Sequence, residues 1–202
     1  LYTTLAQDLV YKDAMKNVNF LDNHDKTRFF SEIGEDVDKF KIGIGWLLTA
    51  RGIPQLYYGT EILMKGVANP DGWVRLGFPG GWPGDKENKF ERSGRTTSED
   101  SAYNWVRNIA NYRKKTPALQ TGKFTQYVPE DGVYTYFRYD NNKTVMVVMN
   151  TMEKERSIQT GRFAERTNGF ARAKNIVTGE TASLKEQWNI PAKTIWILEL
   201  AK

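Results

Sequence analysis

The only histidine of the chain lies in a short polar segment that could carry chemistry. His24 stands between Asn23 and Asp25, directly after the strand-like run 18–21. At the carboxyl end of a parallel strand, polar side chains face the active-site mouth of α/β folds. The segment would then bring an amide, a titratable ring and a carboxylate to one place. The alternative is a strand-to-helix turn that is closed by a capping Asn or Asp, beside a structural histidine.

Arg28 follows Asp25 at a spacing of three residues. The two side chains could form a local ion pair on an exposed turn, worth less than about 1 kcal/mol. They could also orient each other within a site. The spacing favours the local pair and leaves both interpretations open.

A glycine- and proline-rich segment, residues 65–97, is too long for a simple connector, and long loops in compact domains often carry function. Aromatic faces beside polar groups suit sugar rings, which stack through their C–H faces while their hydroxyls accept and donate hydrogen bonds. The alternative is a self-packed loop with an aromatic mini-core. The side chains concerned are Asp71, Trp73, Arg75, Phe78 and Trp82. Upstream, Glu61 could be a catalytic acid, although a cap or a loop hydrogen bond is the commoner role.

Helices and short apolar runs must position these groups. Residues 18–21 and 53–58 are predicted to be buried strands, and a helix is predicted to begin at Asp36 and to end before Gly52. We expect Gly43 and Gly45 inside this helix to mark close approach to a neighbouring backbone. Leu1, Leu5 and Leu9 indicate the end of an amphipathic helix. A further helix is predicted to begin at a capping box from Thr97 to Asp100 and to end before Pro117.

Beyond Gly122 almost every segment has the pattern of a strand. Short strands separated by turns at this spacing predict an antiparallel sandwich or a small barrel. The predicted strands are 124–128, 133–139, 144–149, 156–160, 175–177, 184–188 and 194–200.

Composition excludes several classes of protein and site. The chain has 202 residues, no cysteine and one histidine, which excludes a disulfide scaffold, a thiol nucleophile and a multi-histidine metal centre. No apolar run approaches the roughly 18 residues that span a bilayer. The net charge of +5 is spread along the sequence rather than clustered, so we expect no nucleic-acid partner.

Two strands cannot form a stable parallel sheet alone, because both edges would be open. The chain also begins at Leu1, with neither an initiator methionine nor a signal-type apolar core. We therefore expect a fragment of a longer protein.

Four segments together resemble the α-amylase superfamily, glycoside hydrolase family 13. Residues 20–25, read as Phe-Leu-Asp-Asn-His-Asp, resemble its fourth conserved region, and residues 52–61 are similar to its eighth-strand signature. Residues 113–122 resemble the end of its last barrel helix. Residues 78–82, Phe-Pro-Gly-Gly-Trp, indicate the neopullulanase and cyclomaltodextrinase group. The resemblance runs along nearly the whole chain in order.

This resemblance implies an α/β plus all-β fold: the C-terminal fragment of a (β/α)8 barrel followed by an antiparallel β-sandwich, domain C. Residues 1–122 would hold barrel strands seven and eight, at 18–21 and 53–58, with the eighth helix beginning at Ser98. Residues 123–202 would form domain C.

The resemblance also implies retaining cleavage of α-glucosidic bonds, in maltooligosaccharides, cyclodextrins or pullulan. Asp25 matches the carboxylate that stabilises the transition state, and His24 matches a neighbouring substrate ligand. Asp71 and Arg75 resemble an acid–base pair that grips the substrate. We count Arg28 and Trp73 as further substrate-binding candidates.

The chain departs from the family pattern in two ways. No segment matches the nucleophile Asp or the acid Glu, so we expect no hydrolysis by this chain alone. Gly77 stands where an acidic residue is expected before the Phe-Pro-Gly-Gly-Trp run. The alternatives are a non-catalytic α-glucan-binding module and a glucanotransferase of the same superfamily.

The expected partners are an α-glucan oligosaccharide and the missing N-terminal barrel segment. We predict no metal ligand and no cofactor in this chain, although calcium is compatible with the intact enzyme. By resemblance alone, the location would be the periplasm of a bacterium.

Overall fold

An antiparallel sheet of six strands forms the centre of the computed structural model, which describes residues 1–202. None of the helices is long and apolar enough to cross a membrane. The helices are α1 (Tyr2–Leu5), α2 (Phe29–Glu32), α3 (Val37–Thr49), α4 (Thr97–Lys114), α5 (Pro117–Gln120) and α6 (Ala164–Thr167). The strands are β1 (Val18–Asn19), β2 (Ile53–Pro54), β3 (Lys123–Gln126), β4 (Val133–Tyr139), β5 (Thr144–Asn150), β6 (Arg156–Gln159), β7 (Arg172–Asn175), β8 (Thr181–Ser183), β9 (Gln187–Ile190) and β10 (Thr194–Ala201). Short 3-10 helices cover Asp8–Val10, Ala14–Lys16, Thr60–Ile62, Trp73–Arg75, Arg92–Gly94 and Thr160–Phe163.

Strands β1 and β2 pair in parallel, and α3 lies between them in the chain. Val18 is opposite Ile53, and Asn19 is opposite Pro54. The two strands and α3 therefore form a βαβ unit, as the alternation of strands and helices predicted. Both strands are shorter than predicted, because the chain turns away at once into the segments that carry His24 and Tyr58.

Helix α3 is capped by Asp36, whose carboxylate accepts hydrogen bonds from the N–H groups of Asp38 and Lys39. The predicted close approach at its two glycines is present, but to side chains rather than to backbone. A Cβ on Gly43 would lie 2.3 Å from the Phe29 ring, and one on Gly45 would lie 2.7 Å from the Ile195 side chain. The missing side chains therefore let α3 pack closely on α2 and on the six-stranded sheet.

Helix α4 begins one residue earlier than predicted. The capping box uses Thr96 and Glu99, with hydrogen bonds of 3.3 and 2.7 Å, rather than Thr97 and Asp100. Both pairs have the same spacing, and only the pair from Thr96 has its cap residue in extended backbone. Asp100 instead forms an ion pair with Arg95 at 3.1 Å.

The six-stranded sheet has the order β3-β4-β5-β10-β7-β8, and β6 and β9 form a second, two-stranded sheet. All pairings in these two sheets are antiparallel, which confirms the predicted sandwich. Two predicted strands are displaced. The run 175–177 leaves the sheet after Asn175, because Ile176 and Val177 pack on the core beneath the helices. The run 184–188 divides, and its first residue, Leu184, packs against the smaller core between the two sheets.

Each face of the six-stranded sheet covers a separate core. The larger core has 22 buried residues, and it combines Phe40, Ile44 and Leu47 of α3 with side chains of α4, β4, β5 and β10. The smaller core of 10 residues lies between the six-stranded sheet and β9. Because both faces are covered, β5 is buried almost throughout, from Val145 to Asn150. The division of the chain at residue 122 stays a prediction, and the larger core contains residues from both sides of it.

The N-terminal segment differs from its prediction. Leu5 is buried in the larger core, whereas Leu9 is fully exposed. Helix α1 ends at Leu5, and Asp8–Val10 form a 3-10 turn, so the four-residue repeat of leucines does not continue on one helical face.

Candidate active site

The turn that follows β1 exposes His24 and Asp25. The Asn23 side chain accepts a hydrogen bond of 2.9 Å from the Asp25 N–H, so Asn23 closes the turn, as an asparagine in this position can. The His24 and Asp25 side chains are 64% and 65% exposed. His24 Nε2 lies 3.3 Å from one oxygen of the Asp25 carboxylate. The turn therefore presents a ring and a carboxylate side by side at the carboxyl end of a parallel strand.

Arg75 joins this turn to the glycine-rich segment. Its Nε donates to the backbone oxygen of His24 at 3.0 Å, and its Nη2 lies 3.4 Å from the Asp25 carboxylate. The same guanidinium pairs with Asp71 at 3.0 Å. The structure thus brings together His24, Asp25, Asp71 and Arg75, which come from two segments about 50 residues apart.

Trp73 lies on the same 3-10 helix as Arg75, and 57% of its surface is exposed. The residue before it, Gly72, has a φ of 98°, a left-handed conformation that glycine adopts without strain. The turn at Gly72 therefore starts the short helix that carries both Trp73 and Arg75.

Arg28 is not a surface group, and two expectations for it are wrong. It has no exposed area and forms no ion pair with Asp25, whose arginine partner is Arg75. Its guanidinium lies over the rings of Tyr57 and Tyr58, 4.2 and 4.7 Å from their centroids, and donates to the Tyr58 carbonyl. A side chain without exposed surface cannot contact a substrate, so Arg28 is a packing partner of the tyrosine pair.

Asp22 and Thr60 form a buried polar contact that sequence reasoning did not single out. The Asp22 carboxylate accepts from the Phe29 N–H at 2.9 Å and from the Thr60 hydroxyl at 3.0 and 3.1 Å. Burial raises the pKa of Asp22, although these hydrogen bonds and the Arg28 guanidinium act in the opposite direction. The available signal was an acidic residue between the apolar Leu21 and the polar turn.

Glu61 lies beside this buried cluster rather than in the exposed site. Burial raises its pKa, against the opposing effects of backbone N–H groups and of Arg28. It belongs to the short 3-10 helix Thr60–Ile62. Its surroundings therefore favour a hydrogen-bonding role within the loop over the role of a catalytic acid.

Gly77 leaves room for the indole of Trp82. A Cβ on Gly77 would lie 3.2 Å from Trp82 Nε1, so a larger side chain would have to displace the ring. The Asp85 carboxylate accepts from the N–H groups of Gly80 and Trp82 at 2.7 and 3.1 Å and holds this turn closed. Trp82 itself is 70% exposed. Where an acidic residue was expected, the loop thus carries an exposed aromatic face.

The arrangement as a whole can bind a neutral polyhydroxylated molecule. It offers the carboxylates of Asp25 and Asp71 and one imidazole as hydrogen-bonding groups, a cation that pairs with both carboxylates, and the exposed indole of Trp73 nearby. The structure contains no group of three or more His, Asp or Glu side chains placed to hold a metal ion.

Two family models match the chain. The model described as the α-amylase catalytic domain matches residues 1–159. The model described as the cyclo-malto-dextrinase C-terminal domain matches residues 124–199.

Curated relatives are similar over most of this chain. A cyclomaltodextrin glucanotransferase of Geobacillus stearothermophilus is 29% identical over 164 residues, which is 80% of this chain and 20% of that protein. An α-amylase of Niallia circulans is 34% identical over 140 residues, which is 69% of this chain and 23% of that protein. The chain thus spans about a fifth of the length of these relatives.

Solved structures share the fold. The α-amylase of Geobacillus thermoleovorans in complex with acarbose superimposes with a TM-score of 0.78 at 22% identity, over 100% of this chain and 43% of that chain. A cyclomaltodextrin glucanotransferase with a three-domain ABC distribution gives a TM-score of 0.77 at 24% identity, over 100% of this chain and 40% of that chain.

Proposed function

Because the chain belongs to the α-amylase family of glycoside hydrolases, family 13, we propose that it works as part of a retaining α-glucan hydrolase. Its substrates would be maltooligosaccharides, cyclodextrins or pullulan. In retaining cleavage a carboxylate attacks the anomeric carbon while a carboxylic acid protonates the leaving oxygen. This chain would supply neither group and would contribute substrate contacts instead.

Asp25 is the residue on which the proposal depends. As the third carboxylate, it would accept hydrogen bonds from sugar hydroxyls while the ring distorts toward the oxocarbenium-like transition state. Its exposed carboxylate, held by Arg75 at 3.4 Å beside His24, is the observation that supports this role. Arg75 fixes the carboxylate before substrate arrives, so little reorganisation is needed in the reaction.

His24 and the loop would bind the same substrate. The His24 ring would hydrogen-bond a hydroxyl of the sugar that is cleaved. Asp71 would accept from sugar hydroxyls on the non-reducing side, and the exposed face of Trp73 would stack on a ring. Arg28 has no part in substrate contact and would keep Tyr57 and Tyr58 in place behind the site.

The test is the Asp25→Asn substitution in the intact enzyme that carries this chain together with the rest of the barrel. We expect kcat on maltoheptaose to fall by about 100-fold or more, with a much smaller change in KM, because the lost interaction strengthens in the transition state. Asp131→Asn is a matched control, since Asp131 is an exposed aspartate on the turn before β4. A kcat like that of the wild type in the Asp25→Asn enzyme would exclude the role.

The second candidate function is transfer of a glucan segment to another sugar rather than hydrolysis. It is favoured by the relatives named as glucanotransferases. The same carboxylates serve both reactions, and the acceptor decides the product. Analysis of the products formed from maltoheptaose distinguishes them, since hydrolysis gives shorter linear sugars and transfer gives longer or cyclic ones. For the 202-residue chain alone we expect no products of either kind.

A further inference from the structure

The sandwich has a groove of its own. It runs between β7, β8 and β10 of the large sheet and β9 of the small sheet, with a volume of about 500 Å³. This volume lies within the range of small-molecule sites. The groove is lined by side chains of the sandwich alone, so it shares no residue with the turn of His24 and Asp25.

The floor of the groove is aromatic. Trp188 and Trp196 lie edge to face, with ring centroids 5.8 Å apart and planes at 73°. Leu198 completes the apolar floor. Part of the Trp196 surface is exposed, whereas Trp188 is largely buried in the smaller core. An apolar ligand face could therefore rest on indole without any rearrangement of the core.

The rim of the groove is polar and electrically balanced. Gln187 and Asn189 are exposed on β9, and Lys185 faces the groove together with Glu180. One cation and one anion leave the rim without net charge. The Ser157 hydroxyl of β6 donates to the Asn189 side-chain oxygen at 2.7 Å and accepts from the Gln187 side-chain nitrogen at 3.3 Å. Such a rim matches a neutral ligand with many hydroxyl groups.

We propose that this groove is a second α-glucan site, which holds a glucan chain on the sandwich, away from the site of cleavage. The choice of an α-glucan rests on the proposed function, and the indole floor and amide rim supply the sugar-binding chemistry. A peptide strand is a poorer occupant, because the free edges of β8 and β9 offer only three and four residues for pairing.

The experiment is a calorimetric titration of the 202-residue chain with maltoheptaose. Gln187→Ala combined with Asn189→Ala removes the exposed rim, and Trp196→Leu removes the indole while keeping the floor apolar. We expect each change to weaken binding by about tenfold or more, the effect of losing roughly one good contact. Asn141→Ala, an exposed asparagine on the β4–β5 turn, serves as the matched control and should bind like the wild type. Thermal unfolding of each variant checks that the rim variants keep the fold.

His24→Ala combined with Asp25→Asn separates the two sites. We expect this variant to retain groove binding in the 202-residue chain, while the same change abolishes turnover in the intact enzyme. Three results would contradict the proposal that the groove binds glucan. They are no heat with maltoheptaose, full binding in both groove variants, and loss of all binding in the His24 and Asp25 variant. Dissociation of a dimer by the rim variant would also overturn it, since the groove would then be an interface between copies. Failure of the proposed function would show separately, as an intact enzyme that binds maltoheptaose in the groove but does not cleave it.

Discussion

At the scale of single residues, the exposed carboxylate of Asp25 stands in front of a buried polar layer. Asp22 and Arg28 are both buried, and they contact the segment after β2 through Thr60 and Tyr58. Groups that have no exposed surface cannot bind sugar. They fix the two strand ends relative to each other, so that the exposed side chains keep their positions.

Asp22 gives a prediction for the pH dependence of stability. Burial raises its pKa in the folded protein, so the folded state binds the proton more tightly than the unfolded chain. Stability from this group is therefore present below the pKa of an ordinary aspartate and is lost as pH rises through the raised pKa. The free energy of unfolding of the wild type, minus that of Asp22→Asn, should decline over this window in urea titrations at a series of pH values.

Thr60→Val is the companion variant. The Thr60 hydroxyl lowers the pKa of Asp22, so its removal should raise that pKa further and extend the decline to higher pH. If the free energy of unfolding had the same pH dependence in the wild type and in Asp22→Asn, Asp22 would have the same pKa in the folded and unfolded states, contrary to this prediction.

The sequence pattern indicated the exposed side chains of the candidate site and gave little signal for the buried ones. Position after a strand and side-chain chemistry were enough to single out His24 and Asp25. The predicted ion pair between Asp25 and Arg28 was wrong, because a three-residue spacing does not determine the direction of the Arg28 side chain. Arg75, about 50 residues on, reaches Asp25 only through the fold of the glycine-rich segment.

At the scale of elements, the C-terminal end of α3 depends on two arginines from other parts of the chain. Arg113 of α4 donates to the carbonyls of Leu48 and Gly52, at 3.0 Å each. Arg138 of β4 donates to Ala50 at 2.7 Å and to Gly122 at 3.2 Å. The last carbonyls of a helix have no partner within it, so Arg113 satisfies that of Leu48 and Arg138 satisfies that of the cap residue Ala50.

Arg138→Met should destabilise the protein strongly. Arg138 is fully buried, and burial, with repulsion from Arg113, lowers its pKa to about 10, so it stays charged at neutral pH. Methionine would leave several buried carbonyls without donors, at a cost of about 3 kcal/mol or more in the free energy of unfolding. Urea denaturation measures this loss. Arg107→Met, on the exposed face of α4, is the control and should change stability by less than about 0.5 kcal/mol.

Helices and strands with strong periodic patterns were predicted well. Elements whose length depends on contacts with neighbouring segments were not. The bounds of strand β4 match the predicted run 133–139, and α3 begins at Val37, directly after Asp36, where a helix was predicted to begin. The four-residue helix α2, with Phe29 and Phe30 buried, has too short a pattern to detect. The two-residue lengths of β1 and β2 depend on where each strand finds a partner, which the sequence of one segment does not contain.

At the scale of the whole molecule, the larger of the two cores is formed jointly by the sandwich and the helices. The face of the large sheet that carries Tyr136, Val147 and Ile197 is covered by α3 and α4 rather than by the small sheet. A sheet face of this kind is stable only when it is covered, because each large apolar side chain contributes about 1.5–3 kcal/mol through burial.

Residues 123–202 alone should therefore fold poorly, although they contain every strand of the sandwich. We expect this truncated chain to bind 8-anilinonaphthalene sulfonate and to unfold without a cooperative transition, whereas residues 1–202 unfold cooperatively. Fluorescence of the dye and urea denaturation measure the two properties. A cooperative transition in the truncated chain would show that the sandwich stands without α3 and α4.

The contact between Gly45 and Ile195 has a consequence for how this protein can change over generations. A methyl group at position 45 would lie 2.7 Å from the end of the Ile195 side chain, across 150 residues of sequence. Among descendants of this gene, a larger residue at one position should be accepted mainly together with a smaller one at the other. The helix and the last strand would then be inherited as a matched pair, and a recombination event between them would separate partners that fit only each other.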